Sequence, residues 1–281
     1  MRLFCFQLSN ELKKMFARKR THIGFGAFLL VEMLILFLVH LPKPRAHFRH
    51  LIEENGYGFE HYFSGLTVAL LMLMWTTFLI GALYLALVAG DVVSKEVEEG
   101  TLRMMLCRPV SRGRIIALKY ISCVVYTFAL IFFIGATTLA AGVCYKGLGG
   151  LFVYAPIEKI VALHETVPGL ERYFASLPLL ALSLTSVTSL GFMLSCFNMK
   201  PATATIMTLS VIFLDSIFRN IPSFESLQPY FLTTHMSAWL QIFVVHVPWW
   251  RLVEDYAYLL ALDATFVTVA FAVFQQRDFK A

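Results

Sequence analysis

Six long apolar segments constrain this chain more than any other feature of its sequence. A helix needs about 20 residues to cross the ~30 Å hydrocarbon core of a bilayer. Hydrophobic residues make up 58% of the 281 residues and charged residues only 15%, below the roughly 25% that is usual in soluble domains. The sequence therefore predicts an all-α polytopic membrane protein with one transmembrane domain. We expect its six spans at 23–41, 63–89, 116–143, 174–197, 202–218 and 258–274.

The first 22 residues predict a helix that lies on the membrane surface, which we call the elbow helix. Phe4, Leu8, Leu12 and Phe16 recur at every fourth position. The basic residues of the same segment are Lys13, Lys14, Arg18, Lys19 and Arg20. An amphipathic helix with a basic polar face is typical of the interface between headgroups and acyl chains.

Lysine and arginine counts predict the orientation. With the N-terminus inside, 15 of the 23 basic residues lie on the inner side and eight on the outer side. Because cytoplasmic loops carry the excess of positive charge, we expect both termini and residues 90–115 in the cytoplasm.

The segment 90–115 is the most highly charged part of the chain, and it separates spans 2 and 3. Its pattern predicts a helix from Val92, perpendicular to the spans, with an interruption at Gly100 and a stop at Pro109. Such a helix, polar toward the cytosol and joined to two spans, would transmit a push from a partner into the membrane.

Nucleotide hydrolysis by this chain is not indicated. The phosphate-binding pattern G-x-x-x-x-G-K-[ST] does not occur in the sequence. The five cysteines show no paired spacing that indicates a disulfide framework or a zinc site. If ATP drives transport here, another polypeptide must hydrolyse it.

The charged segment and the C-terminus resemble those of ABC type-2 transporter permeases. The run Glu96-Val97-Glu98-Glu99-Gly100-Thr101-Leu102, then Arg108-Pro109-Val110-Ser111-Arg112 and Lys119, is similar to the E-x-G-T-L, P-V-S-R and K elements of that family. The run Phe274-Gln275-Gln276-Arg277-Asp278-Phe279 resembles its F-x-x-R-D-F ending. Ala117-Leu118 stands where the family commonly has a glycine before the lysine.

This resemblance implies a permease subunit that forms the translocation path of an exporter as a homodimer or heterodimer. Two copies of a separate ABC ATPase would bind ATP and Mg, so this chain would be no enzyme and would hold no cofactor or metal. The implied ATPase-coupling residues are Lys95, Glu96, Glu98, Glu99, Gly100, Thr101, Arg108 and Arg112. The implied elbow-helix contacts are Lys13, Lys14, Phe16 and Arg18.

The same resemblance implies a location in the bacterial inner (plasma) membrane. The expected partners are the lipid bilayer, the second permease subunit, the ATPase and an accessory protein on the outer side, with no nucleic acid. The cargo would be an apolar or amphiphilic compound, a lipid-linked molecule or a peptide.

Charged residues inside the spans are further candidates, because a charge at the bilayer centre is costly. Glu32 lies at the middle of span 1 and is either a substrate or proton contact or an interhelical hydrogen bond. Asp215 and Arg219 have the spacing of a pair on one helix face. Asp263 is expected about one turn inside span 6, near the outer surface. The resemblance adds candidate residues of the translocation path: Glu32, Trp75, Thr76 and Thr208.

Two other function classes stay open at this stage. A proton-coupled secondary transporter would use Glu32, but paired Gly/Pro interruptions in two halves of the chain are missing. A membrane enzyme or metal-handling protein would use the outer histidines, among which His47 and His50 share a helical face. Residues 219–257 predict short amphipathic helices on the outer leaflet.

Overall fold

A computed structural model describes residues 2–54, 58–106, 110–158 and 160–277. Six helices in this part of the chain are long and apolar enough to cross a membrane, which confirms the all-α polytopic class. From span 1 to span 6 they are Lys19–His40, Gly65–Glu98, Arg112–Lys146, Thr166–Cys196, Pro201–Arg219 and Trp249–Gln276.

Most of these helices extend beyond the apolar runs that predict them. Span 6 begins at Trp249, about two and a half turns before residue 258, and span 4 begins at Thr166. A helix continues for as long as its backbone hydrogen bonds do, and charged side chains do not break these bonds. Ser111 caps span 3 by accepting from the N–H of Arg114, and Pro201 opens span 5, as is common at helix starts.

The elbow helix is formed by Arg2–Phe16, as its four-residue period predicts. It packs against spans 1 and 3. Phe16 lies 5.1 Å from Tyr126 of span 3, centroid to centroid. We call the end of the bundle that carries this helix the elbow side, and the opposite end the far side.

Span 4 is the central helix of the bundle. In its most apolar stretch of 18 residues, 78% of the stretch is buried inside the protein. The helix packs against spans 2, 3, 5 and 6. Hydroxyl pairs join it to its neighbours: Thr188 Oγ1 lies 2.9 Å from Thr127 Oγ1 of span 3, and Ser183 Oγ lies 3.1 Å from the hydroxyl of Tyr256 in span 6. Small hydroxylated residues allow this close packing of membrane helices.

Spans 2 and 3 touch through their backbones at the far side. A Cβ atom at Gly142 would lie 2.2 Å from the carbonyl oxygen of Gly65. Only glycine leaves room for this approach, which fixes the relative height of the two spans.

The far side holds short elements, including a β-hairpin that the sequence patterns did not indicate. Strands β1 (Leu151–Ala155) and β2 (Ile160–His164) pair antiparallel, with Leu151 opposite His164. The other elements are the helices Pro42–Glu54, Phe59–Tyr62 and Leu232–Met236, with 3-10 helices at Pro222–Tyr230 and Ala238–Phe243.

The helices found in the segment predicted as outer amphipathic helices are thus short and mostly of 3-10 type, and the last of them ends at Phe243. Arg172 of span 4 holds that end, because its guanidinium donates to the carbonyl of Ile242 at 2.6 Å. The carbonyls at a helix end lack partners within the helix, and a basic side chain satisfies them.

Candidate functional site: the charged junction of the elbow helix with spans 2 and 3

Span 2 carries its helix well beyond the predicted boundary at residue 89. The helix runs to Glu98 and ends where Gly100 takes a positive φ of 71°, which glycine adopts without steric cost. A second helix, Thr101–Leu106, starts after this break. The prediction of a separate helix that begins at Val92 is therefore wrong, because nothing between 90 and 98 interrupts the helical hydrogen bonds.

Glu96 lies inside the protein, only 1% exposed, and not on its surface. Its Oε2 lies 2.5 Å from the Nζ of Lys119 in span 3, and its Oε1 pairs with Lys14 of the elbow helix. Glu11 Oε2 lies 3.6 Å from the same Lys119 Nζ. Two carboxylates and two ammonium groups thus balance one another. We call this set (Glu11, Lys14, Glu96 and Lys119) the charged junction.

Because these charges are buried, the junction is stable only when its partners are correctly placed. Lys119 is also only 1% exposed. Desolvating two such ions costs several kcal/mol each, which their attraction offsets only when both partners are present. Loss of one partner leaves an uncompensated buried charge and costs about 3–5 kcal/mol. The junction therefore selects one position of the elbow helix against spans 2 and 3.

A second ion pair joins the start of span 1 to the same region of span 2. The guanidinium of Arg20 pairs with the buried carboxylate of Asp91. Arg18 Nη2 lies 4.0 Å from Glu96 Oε1. Basic residues that the sequence assigns to the membrane surface thus also neutralise the acidic side chains at the end of span 2.

Beyond the junction, residues 98–102 form a turn with exposed acidic side chains, which we call the acidic tip. Glu98 and Glu99 are exposed, and Lys95 Nζ lies 3.9 Å from Glu99 Oε1. The Thr101 hydroxyl donates to the carbonyl of Glu96 at 3.3 Å, and Leu102 is fully buried. The tip therefore presents carboxylates to solvent while its base is fixed in the core.

Two arginines of the family motifs, Arg112 and Arg277, bind the ends of helices. Arg112 donates to the carbonyls of Gln275 and Arg277 at 3.1 and 3.0 Å. Arg277 in turn donates to the carbonyls of Cys196 and Phe197, each at 3.0 Å. The start of span 3, the end of span 6 and the end of span 4 are thus tied together. Sequence reasoning missed this role, although an arginine just after a span is a signal for it.

The remaining coupling and elbow residues are distributed around this site. Lys13 is exposed, and Phe16 packs in the core against Tyr126. Arg108 lies outside the described residues, as do Asp278 and Phe279 of the C-terminal motif.

The four candidate residues of the translocation path face different neighbours. Glu32 is buried and accepts a hydrogen bond from Thr137 of span 3 at 2.9 Å, which matches the interhelical interpretation. Trp75 is 53% exposed, whereas Thr76 is buried. Thr208 is buried and bonds to the carbonyl of Ala204.

Directly after Thr76, span 2 contains a π-helical turn, Thr77–Gly81. Such turns are rare and occur frequently at functional sites.

The predicted Asp215–Arg219 pair is wrong. Asp215 accepts from the N–H groups of Leu232 and Thr233 at 3.1 and 2.7 Å, so it caps the helix Leu232–Met236. Arg219 pairs with Glu158 of the hairpin turn. Helical spacing permits the pair, but both side chains find better-placed partners in the far-side loops.

The predicted place of Asp263 near the outer surface is also wrong. The span 6 helix begins at Trp249 rather than at residue 258, so Asp263 lies midway along it, about 20 Å from either end at about 1.5 Å per residue. The side chain is buried and faces the interior of the bundle.

Two histidines of the far side, His164 and His235, make structural contacts. Nε2 of His164 lies 2.6 Å from the carbonyl of Phe243, and burial lowers the pKa of its imidazole. Nδ1 of His235 lies 2.8 Å from Asp255 Oδ1, and its Nε2 lies 2.8 Å from the carbonyl of Pro229. In the described part of the chain, no three His, Cys, Asp or Glu side chains converge as a metal site.

Comparison with known proteins agrees with this architecture. Residues 7–279 match the family described as ABC-2 family transporter protein. The chain is also 30% identical over 115 residues to YhcI of Bacillus subtilis (strain 168), itself an uncharacterized protein. That match covers 39% of this chain and 36% of YhcI, so the chain spans about a third of that relative's length. With nearly its whole length matched, the chain belongs to the ABC-2 family of transporter proteins and is a multi-pass membrane protein.

Proposed function

We propose that this chain is the permease subunit of an ATP-driven exporter and that separate ATPase subunits bind its elbow side. The observation that carries this proposal is the acidic tip, an exposed turn with a buried base. A force applied at Glu98 and Glu99 passes through Leu102 and Thr101 to Glu96. From Glu96 it reaches span 3 through Lys119 and the elbow helix through Lys14.

The charge of the tip supports a protein partner with a basic surface. Complementary charges across an interface increase association rates and suppress wrong partners. The excess of lysine and arginine on the elbow side supports a cytoplasmic location for this side, where ATP and Mg are available to an ATPase. Both termini are then cytoplasmic, and the protein lies in the bacterial inner membrane.

Incomplete burial of the outer spans supports assembly with a second permease subunit. In span 5 only 17% of the most apolar 18-residue stretch is buried, and in span 1 only 28%. Trp75 and Phe78 are exposed beside the π-helical turn of span 2. We propose that the translocation path forms between two subunits along this aromatic surface and accepts an apolar or amphiphilic cargo.

The test is ATPase binding by acidic-tip variants. Glu98→Lys reverses the charge of the tip, and Gly100→Trp places a large side chain where φ is positive. We expect both variants to insert and fold normally but to co-purify with at most about a tenth of the wild-type ATPase, equivalent to at least about 1.4 kcal/mol of binding. Native mass spectrometry of the wild-type complex should give two permease and two ATPase chains.

The matched control is Glu171→Lys, the same charge reversal at an exposed far-side position. It should retain the ATPase fully. Normal ATPase binding and transport by Glu98→Lys and Gly100→Trp would contradict the proposed coupling surface.

A further inference from the structure

A shallow cleft opens beside the charged junction, between span 2 and the corner that joins the elbow helix to span 1. We call it the elbow cleft. Its lining includes Met15, Arg18, Arg20, Leu87, Val88 and Asp91. The hydroxyl of Thr21 donates to the carbonyl of Met15 at 2.7 Å, which holds the corner together. The cleft thus lies at the level of the elbow helix, where we expect the lipid headgroups.

Both arginines of the cleft have N–H groups that their protein contacts do not use. Arg20 pairs with Asp91 through Nη1, and its side chain is 55% exposed. The guanidinium of Arg18 forms no hydrogen bond with the described residues, and its ion-pair partner Glu96 Oε1 lies 4.0 Å from Nη2. A guanidinium has five N–H donors in a planar fork that matches a phosphate or a carboxylate. The cleft therefore offers donors to an acidic group.

The surroundings of the cleft carry more positive than negative charge. Residues 11–20 and their ion-pair partners on spans 2 and 3 contain six basic and three acidic side chains. The bases are Lys13, Lys14, Arg18, Lys19, Arg20 and Lys119, and the acids are Glu11, Asp91 and Glu96. Lys13 and Lys19 are exposed and form no ion pair within the described part of the chain. The excess favours an anionic ligand over a neutral one.

The wall that span 2 contributes to the cleft is apolar and continues toward the bilayer centre. Leu87 and Val88 are half-buried. Leu83 lies one helical turn from Leu87 on the same face of the helix and is 48% exposed. A ligand that covers both parts of the cleft has an acidic headgroup and a hydrocarbon chain. This is the chemistry of an anionic phospholipid, whose headgroup binds basic pockets between membrane helices.

We propose that the elbow cleft binds one anionic phospholipid. Its phosphate accepts hydrogen bonds from Arg18 and Arg20, and one acyl chain lies along Leu87 and Leu83. The lipid connects the elbow corner with span 2 and strengthens the contact that Arg20 makes with Asp91. The site needs no ATPase, so its test is independent of the proposed coupling.

The test is a titration of phosphatidylglycerol into the delipidated full-length chain in detergent, with bound lipids counted by native mass spectrometry. We expect one phosphatidylglycerol per chain, bound at least about tenfold more tightly than phosphatidylcholine, equivalent to about 1.4 kcal/mol. The melting temperature should rise with phosphatidylglycerol. It should not rise with inorganic phosphate, which lacks the acyl chain.

Two variants test the two parts of the site. Arg18→Gln removes the guanidinium that has no hydrogen bond in the described chain, so it should fold. Leu87→Trp fills the cleft at its apolar wall without changing the charge. Each should raise the Kd for phosphatidylglycerol roughly tenfold. The matched control is Lys13→Gln, which removes a positive charge at an exposed position outside the cleft and should leave the Kd unchanged.

Equal affinity of the wild type for the two lipids would overturn the proposal. The same loss for Lys13→Gln as for Arg18→Gln would overturn it in favour of a diffuse attraction between charges. An equal rise in melting temperature with inorganic phosphate would assign the cleft to a free anion. Unchanged lipid affinity of Arg18→Gln together with a loss of ATPase binding would assign Arg18 to a protein contact.

Discussion

At the scale of single residues, Glu96 shows how position in the fold changes what a motif residue does. The family resemblance groups it with Glu98 and Glu99 at the ATPase contact. In the structure the two exposed acids belong to the acidic tip, and Glu96 is enclosed between Lys119 and Lys14. Two causes separate them: Glu98, two positions on, points to the opposite side of the helix, and Glu99 lies beyond the helix end at Glu98.

The charged junction makes a prediction for Lys119→Met. The variant keeps the length of the side chain but leaves Glu96 and Glu11 with too little positive charge. We expect a loss of unfolding free energy near the lower end of about 3–5 kcal/mol, because Lys14 remains. Thermal unfolding in nanodiscs measures it.

The companion variant is the double change Glu96→Gln with Lys119→Met, which removes both charges of the fully buried pair. It should be more stable than Lys119→Met alone, since the buried carboxylate of Glu96 is then absent. Equal melting temperatures for the wild type and Lys119→Met would show that the pair does not hold the junction.

At the scale of elements, the contact between spans 2 and 3 depends on two glycines. The spans meet backbone to backbone at Gly65 and Gly142 on the far side, and through Glu96 and Lys119 on the elbow side. The two helices are therefore fixed at both ends. In the proposed coupling, a push at the acidic tip would therefore move the two spans together.

Gly142→Ala tests this contact with the smallest possible change. Its Cβ would lie 2.2 Å from a backbone carbonyl, so the spans must separate. We expect a loss of about 1–3 kcal/mol, typical of overpacked interiors, seen as a lower melting temperature. Gly26→Ala in span 1 is the control, because nothing lies within 4 Å of its Cβ position. A similar effect of the two variants would contradict the close approach.

At the scale of the whole molecule, the far-side loops bind to the spans through groups that titrate. Both ring nitrogens of His235 face acceptors, Asp255 Oδ1 and the carbonyl of Pro229. Only the doubly protonated ring donates to both. Burial lowers the pKa of His235, but these hydrogen bonds and the Asp255 and Glu254 charges raise it above its usual 6.5 overall.

This pKa predicts a pH dependence of stability. A raised pKa in the folded state means that the contribution of His235 is complete below about pH 6.5 and is lost as the pH rises through the folded-state pKa. The wild type should therefore exceed His235→Gln in melting temperature more at pH 6 than at pH 9.

His164 is the opposite case and serves as the comparison. Burial lowers its pKa, so its contribution is complete above about pH 6.5 and is lost as the pH falls. His164→Gln should therefore differ from the wild type more at pH 9 than at pH 5. Parallel melting curves for His235→Gln and the wild type across this range would contradict the charged state of His235.

The sequence by itself determined the class, the number of spans, the elbow helix and the family. These properties follow from apolar length, four-residue periodicity and short motifs, all of which are local along the chain. The break at Gly100 was also readable, because glycine marks turns. The limits of the spans were less accurate, since charge ends an apolar run without ending a helix, as Asp91 and Glu254 show.

Only the tertiary structure decided which charged side chains are paired, which are buried and which are exposed. Lys14 and Glu96 are 82 positions apart, and Asp263 meets serines from span 4. Such neighbours depend on which helix faces pack together, and hydropathy along one chain does not specify them. The physical reason is that the cost of burying a charge depends on its three-dimensional surroundings, whereas the cost of crossing a membrane is nearly a sum over consecutive residues.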